Sequence, residues 1–65
     1  MVNPLKLAII AAGRPQYELA RLAGLSETRL SRLVTGRVQP STDERRVLAE
    51  TLGVAISQLF PEAGP

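Results

Sequence analysis

Cysteine and histidine are both missing from this chain of 65 residues. Without cysteine there is no disulfide framework and no thiolate metal site, and a reducing compartment is permitted, so the cytoplasm is the expected location. Without histidine, the Ser-His and Cys-His pairs of nucleophilic catalysis and the usual imidazole zinc ligands are excluded. What remains for chemistry is carboxylates, Lys6, Tyr17 and hydroxyls, and no two acids are forced into a shared cleft. An enzyme is therefore not expected, nor a cofactor or a metal.

Aromatics are nearly absent as well. One Tyr, one Phe and no Trp leave little surface for stacking on unpaired bases, and they require a core of Leu, Ile, Val and Ala, which suits helices meeting at close range. Long apolar runs are lacking too. The stretch over 7–12 in MVNPLKLAIIAAG is too short to span a bilayer. A signal peptide would leave almost nothing behind, so this segment reads as a core helix.

The apolar share is 45%, enough for one small core, and the length predicts one domain over 1–65 with its ordered part about 4–60. Net charge is only +2, but it is unevenly placed. Residues 14–37 hold five Arg against two Glu, whereas residues 42–65 hold two Arg against four acids. A cationic patch with an acidic far side suits a phosphate-facing surface, and a solvated basic helix face is the alternative on charge alone.

Capping chemistry marks the helices. Asn3 followed by Pro4 reads as an N-cap with proline at the first helical position, and Gly13 as the stop, giving a first helix over Pro4–Ala12. Pro15 opens a second helix in the same way; Gln16, Leu19, Ala20 and Ala23 form its i, i+3, i+4, i+7 stripe, and Gly24 stops it. Ser26 caps a third helix over 27–35, with Leu25 and Leu30 at hydrophobic-staple spacing and Leu30, Leu33 and Val34 as its buried face. Gly36 ends it, and 37–40 is a loop. STDE at 41–44 is a capping box that starts a fourth helix over 42–52, carrying Val47, Leu48 and Leu52 as far as Gly53. Ile56, Leu59 and Phe60 share one face of a last short turn, and 61–65 reads as a frayed tail.

Two short helices joined by the tight Gly24-Leu25-Ser26 turn cross steeply and hold the third helix out from the body. Opposite its apolar face stand Glu27, Thr28, Arg29, Ser31 and Arg32, all hydrogen-bonding types. A projecting polar helix of this width fits the major groove of B-DNA, where each base pair shows a distinct donor and acceptor pattern.

The ordered set Gln16, Leu19-Ala20, Gly24-Leu25-Ser26, Leu30-Ser31-Arg32-Leu33, Gly36, Pro40-Ser41, Leu48-Ala49, Leu52-Gly53-Val54 and Leu59 resembles the helix-turn-helix domains of the phage repressor and Cro type, also called the xenobiotic-response-element type. The resemblance covers about 4–60. It implies a compact all-α domain of five helices, lambda-repressor-like, that binds double-stranded DNA as a small transcriptional regulator. By matching position it makes Glu27, Thr28 and Arg32 base-contacting, and Gln16, Arg29, Thr35, Arg37 and Arg14 contacts to the DNA backbone. The amino end of the second helix also suits a phosphate on general grounds.

Family members often carry an arginine where Ile9 stands and a glutamate where Val34 stands, a buried ion pair. Here both places are apolar, and replacing both partners with packed hydrophobes is often neutral or stabilising, so the joint change supports the alignment. Arg45 stands where a buried aliphatic is usual, which leaves the inner face of the fourth helix open. Tyr17 and Leu22 stand where exposed polar residues are usual, either as partner contacts or as scattered surface apolars.

Glu27 places an anion where phosphates crowd, so a helix-turn-helix protein-interaction module, such as an antitoxin component, is the alternative function. One reading helix offers too few base contacts to single out a genomic site, so a homodimer is expected, weak in solution and favoured on DNA. Its contact would use Val54, Ile56, Leu59, Phe60 and the 37–40 loop. No small-molecule effector site is evident.

Overall fold

A computed structural model describes residues 4–61. The Asn3 cap and the tail beyond Pro61 lie outside the described residues. Five helices follow one another: α1 (Pro4–Ala12), α2 (Gln16–Ala23), α3 (Glu27–Val34), α4 (Thr42–Leu52) and α5 (Ile56–Leu59). The domain is all-α, as the spacing of caps and stops predicts.

The entry to α3 is the most constrained part of the chain. Gly24 takes φ 74°, a left-handed conformation that costs a residue with a Cβ about 1–2 kcal/mol. That geometry lets the Leu25 N–H donate back to Ala20 O at 2.8 Å, satisfying a carbonyl at the end of α2. Ser26 then turns extended, and its Oγ accepts from the Arg29 N–H at 3.0 Å. At the other end Gly36 has φ 77°, and the Arg37 N–H closes on Arg32 O at 2.9 Å. Both ends of α3 are therefore set by local hydrogen bonds.

Pro15 departs slightly from expectation. It is the N-cap of α2 with ψ 147°, not its first helical residue, and no side chain caps the helix. Its carbonyl accepts from the Glu18 and Leu19 N–H groups instead. The ring still fixes φ at −61°, but the extended ψ is needed to turn the chain out of α1.

One cluster of buried apolar side chains forms the core, with Leu30 and Leu48 at its centre. α2 packs on α3 and α4, while α1 rests on α4 and α5. Ile9 and Val34 are each 7% exposed within that cluster, so both apolar side chains belong to the core. The reading of 7–12 as core holds only for one stripe of α1. Leu5 and Ile9, one turn apart, face inward, whereas Leu7 and Ile10 are 57% and 62% exposed.

Two other inner faces differ from expectation. Leu59 is buried and Phe60 half-buried, but Ile56 is 41% exposed, because a four-residue helix offers the body barely one turn. On α4 the inward stripe is Leu48 and Ala49 with Val47 and Leu52 beside them. Arg45, one turn earlier, is half-buried with its Nε sealed and without a hydrogen-bond partner. It lines an apolar groove with Leu5, Leu33, Leu59 and Phe60, so the helix keeps the aliphatic register and the long side chain covers apolar surface with its stem.

Truncating Ile9 to Ala is expected to lower stability by roughly 2–5 kcal/mol, a large share for so small a domain. Gly24→Ala should cost about 1–2 kcal/mol through backbone strain alone, since nothing lies within 4 Å of the position its Cβ would take. Urea unfolding measures both; an unchanged midpoint for Ile9→Ala would remove α1 from the core.

Candidate nucleic-acid interface

The exposed residues of α3 and its C-cap fall at 27, 28, 31, 32 and 35, one helical stripe opposite Leu30, Leu33 and Val34. With Gln16 at the start of α2 and Arg37 after Gly36, they line an open groove of about 480 Å³. Six of the eight residues expected at the site are brought together there: Gln16, Glu27, Thr28, Arg32, Thr35 and Arg37. Ser31 completes the lining. It stands one turn after Glu27 and Thr28, and that spacing alone places it on the same face of α3.

Arg32 and Arg37 are exposed, and among the described residues neither has an ion-pair or hydrogen-bond partner for its guanidinium. Thr35 Oγ1 donates to the Ser31 and Arg32 carbonyls at 3.0 and 3.2 Å, so its hydroxyl meets a ligand as an acceptor. With no side-chain cap on α2, the first amide N–H groups of that helix keep their anion-binding character.

The remaining two arginines are engaged elsewhere. Arg14 pairs with Glu18 at 3.3 Å across one exposed turn, an interaction worth little, and it does not line the groove. Arg29 is held firmly. Its Nε–H donates to Glu44 Oε2 and its Nη2–H to Glu44 Oε1, both at 2.8 Å. Nη2 also reaches Gln39 O at 3.4 Å. This bidentate pair joins the flank of α3 to the loop after it and to the start of α4.

Glu44 does two tasks with one carboxylate. It is the fourth residue of the STDE box: Ser41 Oγ accepts from the Glu44 N–H at 3.1 Å, and Glu44 Oε1 accepts from the Ser41 N–H at 2.8 Å. The Arg29 hydrogen bonds first, and the Ser41 N–H second, hold its carboxyl at about 2 against an ordinary 4.5. The same contact raises Arg29. Local pattern predicts the box, but the partner fifteen residues away has no signature in the chain.

A family model described as helix-turn-helix matches residues 5–59. Neither a curated protein nor a solved structure matches the chain.

The Glu44 carboxyl dictates a pH dependence. Its folded value lies below its unfolded one, so the stabilisation is complete above about 4.5 and is lost as pH falls toward about 2. The thermal midpoint should therefore drop across that window, and Glu44→Gln should both lower the midpoint at neutral pH and flatten the drop. A profile with the same acid slope in Glu44→Gln would assign the acid sensitivity to other carboxylates.

Proposed function

We propose that this chain, which belongs to the phage-repressor and Cro type of the helix-turn-helix family, binds double-stranded DNA sequence-specifically as a small transcriptional regulator, with α3 in the major groove. The observation that carries this reading is the groove on α3, where hydrogen-bonding side chains face outward together with Arg32 and Arg37, which have no partner among the described residues. A helix with its side chains is about 10–12 Å across, and the major groove is about 12 Å wide.

Within it Glu27, Thr28 and Arg32 meet base edges, while Gln16, Thr35 and Arg37 hold phosphates on either side. Arg29 acts through Glu44: it fixes the tilt of α3 and leaves the phosphates to its neighbours. Arg14, paired outside the groove, adds only long-range attraction.

Two copies act together on a palindrome, their reading helices one DNA turn apart, about 34–36 Å. The α5 flank and the 37–40 loop supply the contact. Exposed Ile56 and half-buried Val54 and Phe60 support this, and with Leu59 committed to the core the interface is small, so pairing is weak off DNA.

Exposed Leu7, Ile10, Tyr17 and Leu22 favour a second reading, a module that docks proteins through its outer apolar side chains. Salt separates the two, because counterion release makes DNA binding fall with ionic strength and an apolar contact is nearly indifferent. No helix among the described residues is long and apolar enough to cross a membrane, which accords with a cytoplasmic role.

Selection of bound duplexes from a random pool tests the main reading: a palindromic consensus is expected, and no enrichment would overturn it. On the selected site Arg32→Ala should cost about 1–3 kcal/mol and relax preference at one base pair, most simply a guanine. Arg37→Ala should weaken all duplexes alike and reduce the salt slope by about 1. Sedimentation on a full palindrome and on a half-site checks the pairing, with one chain per duplex on both as the contrary result.

A further inference from the structure

Glu27 is the one acid among the residues lining the α3 groove. It is exposed at the first position of the helix, and no ion pair or hydrogen bond engages its carboxylate among the described residues. The helix start is already capped by Ser26, so this charge is not needed to close an open end. Facing a duplex, it repels phosphates and weakens binding to every sequence that offers it nothing in return. Such a group belongs in a reading surface only where it meets a hydrogen-bond donor.

Resting on the DNA reading above, we infer that Glu27 is a specificity-determining residue that selects cytosine at one position of each half-site. A carboxylate only accepts hydrogen bonds. In the major groove guanine offers two acceptors and thymine an acceptor beside a methyl group, so both leave the carboxylate desolvated and unpaired. Adenine has an amino donor, but its N7 acceptor lies beside it and opposes a second acceptor. Cytosine presents its N4 amino group without a neighbouring acceptor on the same base. The residue thus discriminates mostly by penalty: it forms one good contact on cytosine and a repulsive one elsewhere.

The test is duplex selection with the wild type, Glu27→Gln and Glu27→Ala, alongside thermal midpoints and affinities for one arbitrary duplex. The wild type is expected to return a position with at least about fivefold preference for cytosine. Glu27→Gln should move that position to adenine, which an amide pairs with twice, and Glu27→Ala should make it nearly indifferent, with the other positions kept. Both variants should bind the arbitrary duplex more tightly than the wild type. Base preferences identical in all three proteins would overturn the inference and leave DNA binding standing; a lowered midpoint with those preferences intact would likewise assign Glu27 to helix stability alone. A wild type that enriches no sequence would overturn the DNA reading and this inference with it.

Discussion

A helix of eight residues does not persist alone in water, because so short a segment barely recovers the cost of its first turn. α3 must nevertheless be rigid and must keep its polar side uncovered. The fold meets both demands by holding α3 from behind and from its ends. Leu30, wholly buried, anchors the inner face beside Leu33 and Val34, and left-handed Gly24 and Gly36 stand outside the two ends. Among the described residues, the outward polar stripe gives no support except through the Thr35 hydroxyl, which turns back on its own helix.

The third restraint is lateral, and it couples two helices through one side chain. Glu44 cannot release Arg29 without exposing a charge in its own capping box, nor leave the box without loosening α3. A surface ion pair of two free side chains contributes little, but here the carboxylate is only 15% exposed and is already oriented by Ser41. Much of the ordering entropy has been met by the cap, so the arginine meets a fixed acceptor.

Features set within four residues of each other were legible in the sequence. The Ser26 and Ser41 caps and the glycine stops are local patterns, and the helices begin and end within a residue or so of where those patterns put them. The polar stripe of α3 was legible for the same reason, since residues four apart on one helix share a face, whereas Gln16 and Arg37 joined it only through the family resemblance. Features that depend on distant parts of the chain were not. Arg29 reads as a free cation until α4 is placed beside it, and Ile56 reads as core until the brevity of α5 is seen. α1 is apolar nearly all round, so periodicity could not say which stripe the body would cover; that choice belongs to α4 and α5.

These restraints also bear on the proposed DNA reading. Of the five arginines between 14 and 37, Arg14 is tied to Glu18 and Arg29 to Glu44, and Arg32 and Arg37 are the two that line the groove. Each phosphate neutralised adds roughly one unit to the salt slope, so on that reading a groove with two cations and one anion would hold arbitrary DNA weakly. Weak non-specific binding is a disadvantage for a lone domain and an advantage for a pair. In the proposed pair, where each chain would contribute little affinity that is independent of sequence, occupancy would depend on both α3 helices finding their bases at once. On the proposed DNA reading, committing Arg29 to Glu44 would exchange a phosphate contact for a fixed angle of α3, and discrimination would gain what general affinity loses.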